Sequence, residues 1–423
     1  MNLKMRFFRN SFVLALGFIN PAVLQAVDNS SVAIEKPAPS SAPTVTGEGK
    51  VLPKGVGRAR VVHKHYTGAH GFDNQGKRLN IGLNRNTAAS AFVAEYGLTE
   101  KLSFRMMLPY VYRNELTLDQ EQFKKSEVFR EKYYASIDKF SKNLQKAGLC
   151  SGVQECRELI VDRGFSLPRD SVIPLPSGEE VHLKAGTRVS QALEDIILNS
   201  ATPPKEGPTG IGDMEAGILY NFFSSDSMLV SGGLGLRMPT GDFDVPEAKR
   251  PLSGGVYDIG ARINVDYSPI SYLSLSFQEQ LEFAASKARW KRPSLVNNAE
   301  FNQADPELGG DSAPNERDYE KKGLSSNTLL KANLNLGMLH PQMQIVSLNS
   351  SYNFVRERAI YLDNRQHVQS SDVHQGTVGA NLSLLSYRIP LEFEVNYQAP
   401  LAGTNSRLAS NSLESSIKLY ARF

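Results

Sequence analysis

Along most of this chain, apolar and polar residues alternate one by one. In Leu102–Tyr112 the residues Leu102, Phe104, Met106, Leu108, Tyr110 and Tyr112 share one face, and Ser103 and Arg105 begin the other. A period of two is the signature of an extended strand with one face in an apolar medium and one in water. Twelve stretches read this way: Gly57–Tyr66, Ala88–Tyr96, Leu102–Tyr112, Asp213–Phe223, Met228–Met238, Gly255–Tyr267, Tyr272–Ala284, Thr328–Met338, Met343–Arg356, Val373–Leu384, Ile389–Gln398 and Leu413–Phe423. A tilted strand of roughly 9–11 residues spans a bilayer, so the lengths suit membrane crossing. Each stretch alone would equally suit a half-buried strand of a soluble sandwich. Glu279 falls on the apolar face of its stretch and breaks it.

The alternation fails over residues 114–210. There Phe129, Tyr133, Ile137, Phe140 and Leu144 recur at helical spacing, with Gly148 as a stop signal. Val189, Leu193, Ile196 and Ile197 predict a second, shorter helix that ends near Pro203 and Pro204. The block reads as one large, partly helical insertion between the third and fourth strands.

The spacing between strands decides the architecture. Links at 97–101, 224–227, 268–271, 340–342 and 386–388 are short, and those at 67–87, 114–210, 239–254, 286–326, 357–371 and 399–411 are longer. Short turns on one side and long loops on the other, with an even strand count, describe an up-and-down antiparallel barrel in an outer membrane. A sandwich gives no reason for loop lengths to alternate in this way. Lipid also forces closure, because an open edge would leave backbone groups unsatisfied at several kcal/mol each. The fold class is therefore all-β, a transmembrane barrel of about 12 strands with the 114–210 insertion on its extracellular side. Aromatic residues near the strand ends, such as Tyr110, Tyr220, Tyr267 and Tyr397, suit interface girdles. High β-propensity explains them as well.

The N-terminus reads as an export signal over residues 1–26: Lys4, Arg6 and Arg9 precede the apolar run Phe12–Ile19, and Leu24-Gln-Ala26 offers a cleavage site. Residues 27–54, rich in Pro, Ser, Ala and Thr, read as a flexible periplasmic leader. A short plug or a partner-binding segment would have the same composition. The barrel then occupies 55–423. The formal net charge of +3 gives no support for nucleic-acid binding. Beyond the signal, no run approaches 18 apolar residues, which excludes a helical membrane bundle. The two cysteines, Cys150 and Cys156, can pair in an exported protein and staple a small loop. Two free thiols or a metal pair are the alternatives.

The inward set is mixed in sign. Arg58, Arg60, Arg105, Arg237, Arg262, Lys331, Lys418 and Arg422 face Asp213, Glu215, Asp258, Asp266, Glu282, Glu392, Glu394 and Glu414. These are the expected lumen-lining residues, as ion-pair ladders or as guides for a small polar solute. Their balance argues against strong anion or cation selectivity. His63 and His65 share one side of their strand as a metal pair would, but no nearby cysteines or ordered carboxylates complete a site, and no metal or cofactor is expected. Lipid hydrolysis would need a serine activated by a histidine, and His340 and His374 show no evident partner, so no catalytic residue is assigned.

The last eleven residues, Leu413–Phe423, alternate to a terminal aromatic, an ending that resembles those of bacterial outer-membrane barrels. Tyr96-Gly-Leu-Thr-Glu100 with Leu108-Pro-Tyr110, Gly210-Ile-Gly-Asp213 and Met238-Pro-Thr-Gly-Asp-Phe243 resemble, in that order, the outer-membrane barrel family associated with the meta-pathway of phenol degradation. The resemblance covers about 56–113 and 210–423, and the 114–210 insertion is larger than that family leads one to expect. It implies an outer-membrane location in a Gram-negative bacterium and passive transport of aromatic or other small molecules. The expected partners are outer-membrane lipid, the barrel-assembly machinery through the strand ending at Phe423, and a small solute. A structural or interaction barrel acting through its insertion is the alternative, and a lipid hydrolase is the third reading.

Overall fold

The computed structural model describes residues 50–146, 148, 150–166, 170–174, 180–242, 252–286, 288–289, 319–357, 359–362, 365–368 and 370–423. The signal segment and the leader as far as residue 49 lie outside them.

Among the described residues, twelve long antiparallel strands form the barrel wall. They are β1 (Val56–Phe72), β2 (Leu83–Thr99), β3 (Leu102–Leu118), β4 (Met214–Ser224), β5 (Met228–Met238), β6 (Asp258–Ile270), β7 (Leu273–Ala284), β8 (Ser325–Asn335), β9 (Val346–Glu357), β10 (Ser371–Ser383), β11 (Leu391–Thr404) and β12 (Ser406–Arg422). Each pairs with its neighbours in sequence, and β1 pairs with both β2 and β12, so the wall closes. Closure leaves no free edge, which is the condition for backbone in hydrocarbon.

Exposed apolar side chains cover the outer face: Phe92, Leu108, Ile218, Leu234, Ile263, Leu330, Val378 and Val395 are examples from eight different strands. With their polar partners turned inward, this is the outer-membrane type of barrel. No helix among the described residues is long and apolar enough to cross a membrane. Glu279 does face outward, where the Thr328 hydroxyl donates to its carboxylate at 2.5 Å.

The wall is uneven in height. β1, β2, β3 and β12 each run 17 residues, against 11 for β4, β5 and β8. Two expected loops are therefore strand instead. The 67–87 link shrinks to residues 73–82, and 399–411 is a hairpin turning at Asn405, whose φ of 54° is a left-handed value that asparagine tolerates. The short-turn end also differs in detail: Leu336–Met338 and Pro341–Ile345 are 3-10 turns rather than strand ends, the first capped by the Asn335 side chain.

Strand β3 runs on to Leu118, and residues 205–207 already pair with 114–116, so the insertion proper lies between them. It holds α1 (Gln120–Lys124), α2 (Glu127–Lys146), α3 (Val153–Val161) and α4 (Val189–Ala201). Asp119 caps α1 by accepting from the Gln122 amide at 3.1 Å. One cluster, Phe123, Phe129, Ile197 and Leu198 with Ile81 of the neighbouring hairpin, fixes the insertion to the tall side of the wall. A second, Ile137, Leu144, Cys156, Ile160 and Val189, is internal to it. Cys150 and Cys156 are joined as a disulfide, with 5.5 Å between their Cα atoms.

At the opposite end, residues 50–55 tuck into the barrel mouth beside the last strand. Val51 and Leu52 are buried, and the Leu52 amide donates to Ser103 Oγ at 2.8 Å on the inward face of β3. Gly97 is required here, since a Cβ would meet the Pro53 carbonyl. The Phe423 amide donates to the Gly55 carbonyl at 2.8 Å.

Candidate functional site: the barrel lumen

Inward parity brings most of the charged residues together in pairs. Arg58 donates to Glu95, which also lies 3.7 Å from Arg105 Nε. Arg60 Nη2 sits 3.1 Å from Glu414, with Lys64 Nζ at 3.5 Å on the other oxygen. Lys418 lies between two acids of β11, 3.0 Å from Glu394 and 3.8 Å from Glu392, and Lys331 reaches Glu394 at 3.5 Å. Tyr420 and Ser383 hydroxyls donate to Glu392 at 3.0 and 3.2 Å. Across the lumen Arg237 holds three acids, Glu215 at 2.8 Å, Glu282 at 3.1 Å and Asp258 at 3.4 Å. Arg262 and Asp266 line lumen cavities.

Two residues of the expected set lie elsewhere. Asp213 sits just before β4, where its two oxygens accept from the Gly241 amide at 3.2 Å and the Gly254 amide at 2.9 Å. It braces an outer loop instead of lining the lumen. Arg422 keeps inward parity but is exposed at the short-turn end.

The neutral residues of the lumen divide it into two unlike walls. On β4, β5 and β6 a row of glycines, Gly217, Gly235 and Gly260, stands in register across three strands. A Cβ at Gly217 would strike the Leu234 carbonyl at 2.7 Å, so backbone packing explains that glycine. At Gly235 and Gly260 a Cβ would meet nothing closer than 3.5 and 3.6 Å, and neither has positive φ. Glycine within a strand costs stability, and absence of both a bulge and a clash leaves close approach of something else as its use. A cavity of about 170 Å³ opens along this wall, with Arg105, Leu219, Arg262 and Gln280 around the glycines.

The opposite wall is dense with amides. Asn333, Asn349 and Asn381 are at most 5 % exposed and face inward with Asn396 from β8, β9, β10 and β11. Asn349 and Asn396, with Lys331 and Glu394, line part of a second cavity of about 130 Å³. Sequence reasoning passed over these amides because they carry no charge and spacing gives them no motif. Their inward parity was visible, but the cross-strand register that gathers them was not.

The histidines are placed differently. His63 and His65 share the outward face. The His63 ring stacks on Tyr112 and lies 3.3 Å from Ser90 Oγ, and His65 bonds Asn86 at 2.7 Å. The β2–β3 ladder shifts register here, between Ala88 and Ala89, and Tyr112 is the residue of β3 that it leaves without a cross-strand partner. His340 accepts from the Gln342 amide in a 3-10 turn, and His374 meets the Tyr352 hydroxyl. No group of three His, Cys, Asp or Glu able to hold a metal occurs among the described residues.

No family model and no curated protein matches the sequence. Solved structures do match the fold. The COG4313 outer membrane channel from Pseudomonas putida F1 aligns over 88 % of this chain and 98 % of its own, with a TM-score of 0.54 at 10 % identity. The NanC porin aligns over 85 % and 98 % with a TM-score of 0.37 at 6 % identity, and the CymD monoaromatic hydrocarbon channel over 88 % and 89 % with 0.31 at 11 %. At these identities the likeness is one of architecture, and it agrees with the closed lipid-facing wall: the chain is an outer-membrane β-barrel.

Proposed function

We propose that this barrel is a passive channel for small solutes across the outer membrane. The observation that carries the reading is the bare glycine wall beside neutralised charges inside a closed barrel. Gly235 and Gly260 forgo side chains that the backbone would accept, and in the channel reading this leaves room along that wall which a purely structural barrel would fill. The COG4313 protein, whose fold this barrel resembles, is an outer membrane channel, and the family resemblance of the sequence points the same way. In this reading β12 is the strand that the assembly machinery engages. The purified full-length barrel in planar bilayers should conduct ions, and Gly235→Leu should cut that conductance. A correctly folded barrel with neither conductance nor solute uptake would sink the proposal.

The insertion supports a second reading, an interaction barrel, because it carries a core and a disulfide of its own. Deleting 120–201 separates the two, since a channel keeps its flux while an interaction protein loses its partner.

A further inference from the structure

The lipid-facing side of β1, β2 and β3 changes character part-way up. Val61 and Phe92 are cross-strand partners on the outer face, and the next outward pairs are His63 with Ser90 and His65 with Ala88. On β3, simple alternation past Leu108 and Tyr110 would turn Tyr112 outward and Arg113 into the lumen. The register shift prevents this: Val111 pairs with Ala89 and Arg113 with Ala88, so Tyr112 is the extra residue of a β-bulge. A bulge re-aims the side chains beyond it. Here it carries Arg113 from the lumen face to the lipid face, in one row with Ala88 and His65. Strand geometry gives the depth of that row. Along β2, Ala88 stands eight residues above Tyr96, which meets Phe423 at the short-turn rim. At about 3.3 Å per residue and a tilt of about 40°, that is roughly 20 Å, and the apolar band of such a barrel is about 25 Å tall. The row therefore stands at the outer edge of the hydrocarbon, next to the headgroup layer.

The two basic side chains of the row are prepared differently. Arg113 is exposed and makes no side-chain hydrogen bond or ion pair among the described residues. His65 is oriented. Asn86 Nδ2 donates to Glu115 at 2.8 Å, which turns the amide oxygen to His65 Nε2 at 2.7 Å, so that ring nitrogen carries a proton. Nδ1 makes no hydrogen bond among the described residues and becomes a second donor when the ring is protonated. Glu115 is engaged by Asn86 and bridges to Glu206 one step further out, so the acids of this wall lie outside the row. We infer that Arg113 and His65 form a binding site for the phosphate group of a lipid in the outer leaflet. The donors set the anion, since a guanidinium with its fork unoccupied matches phosphate oxygens two at a time. Two strand spacings, roughly 10 Å, separate the two Cα atoms, a span that one phosphate between an arginine and an imidazole can fill. Placement sets the lipid. Leu108 and Tyr110 are exposed on β3 directly below Arg113 and offer apolar surface to acyl chains. An arginine that merely reaches from the wall into water needs neither a register break nor an oriented neighbour. The inference does not depend on the lumen conducting.

The test uses the full-length barrel in detergent, titrated with bisphosphorylated lipid A and read by native mass spectrometry, with gel mobility reporting that each variant is folded. One lipid A should bind more tightly than the rest. Arg113→Gln should weaken that adduct about tenfold, Arg113→Lys should recover part of the loss, and His65→Gln should weaken it less than Arg113→Gln does. Arg356 is exposed as well but is tied to Asp372, so Arg356→Gln is the control and should leave the adduct unchanged. Lipid A stripped of its phosphates should bind the native barrel and Arg113→Gln alike. An equal loss in the Arg113 and Arg356 variants, or no loss in either, would overturn the site. Arg113-dependent binding of the stripped lipid would overturn the phosphate as the recognised group. Displacement of the adduct by inorganic phosphate at the same concentration would overturn the lipid as its source. Should Arg113→Gln fail to fold, Arg113→Lys and His65→Gln carry the same comparison.

Discussion

Lys418→Met tests whether the lumen charges hold the wall together. Lys418 and its partners Glu392 and Glu394 are 6 %, 0 % and 5 % exposed, so water screens them little. At 3.0 Å and an effective dielectric constant near 20, the attraction to Glu394 alone is about 5 kcal/mol before desolvation is counted. Removing the ammonium leaves two buried acids of the same strand, with Lys331 still 3.5 Å from Glu394. Breaking a buried pair in this manner costs about 3–5 kcal/mol. Glu394→Gln removes the acid instead and leaves Lys418 with Glu392, so it should cost less. Combining the two leaves one neutral amide beside Glu392, and the double variant should be more stable than the sum of the singles by at least about 1 kcal/mol. Urea titration of the barrel inserted in lipid vesicles, with folded and unfolded forms separated by gel mobility, measures all three. A cost under about 1 kcal/mol for Lys418→Met, or additivity of the two substitutions, would refute the view of this triad as a buried network and reassign it to the solvated lumen.

Three further outcomes follow from single contacts. Phe123→Ala empties the cluster that ties the insertion to the Ile81 hairpin, and a large aromatic-to-alanine loss of about 3–5 kcal/mol should expose 119–204 to limited proteolysis while the barrel stays folded. Asp213→Ala leaves the Gly241 and Gly254 amides without their acceptor, and faster hydrogen exchange at both would show it; unchanged exchange would mean that the loop is held elsewhere. Glu155 accepts from both the amide and the hydroxyl of Ser151, which holds its carboxyl below the usual range. A depressed folded value means that this contribution is present above the unfolded pKa and is lost as pH falls through the folded one. Protease resistance of the 150–161 segment should therefore weaken on acidification below the ordinary carboxylate range in the native protein, and Glu155→Gln should flatten that dependence.

The twelve crossings were legible because hydrocarbon imposes a strict period of two wherever it touches the wall. The same reason explains what was missed. β1, β2, β11 and β12 continue past the apolar layer, and there Phe72, Ser406 and Ala409 are buried in protein contacts, so Thr67–Phe72 and Ser406–Ser410 lose the alternation while keeping the ladder. Leu336 and Met338 keep an apolar spacing but turn, because the Asn335 side chain accepts from the Gly337 amide and starts a 3-10 turn. Helix α3, which carries Cys156, was invisible beside the proline-rich stretch, nine residues being too few to show a period. In the lumen, charge and parity found the ion pairs, but the glycine row and the amide row are properties of register. Neither Gly235 nor Asn349 has a neighbour in sequence that hints at its partner two strands away.

The patches that carry the family resemblance also prove to be structural, which explains why they say so little about the solute. Pro109, Gly212 and Thr240 lie far apart in sequence and meet at one point of the wall. Pro109 has no N–H to give to the ladder, and the chain of the next strand steps past it: the Gly212 amide donates to the Pro109 carbonyl at 3.0 Å, and Thr240 Oγ1 both donates to the Gly212 carbonyl at 2.8 Å and accepts from the Met214 amide at 2.9 Å. Asp213 then gathers Gly241 and Gly254. The polar groups named in this knot are all used in joining β3, β4 and β5 where the long insertion re-enters the barrel. The remaining patch, at Gly97, accommodates the Pro53 carbonyl at the mouth. In the channel reading a sequence can therefore retain these patches and change its cargo, since Gly235, Gly260, Asn349 and Asn396 lie on β5, β6, β9 and β11, away from the knot. Swapping the lumen residues of those strands should alter selectivity without loosening the knot, whereas Thr240→Val should loosen the knot and leave selectivity as it was.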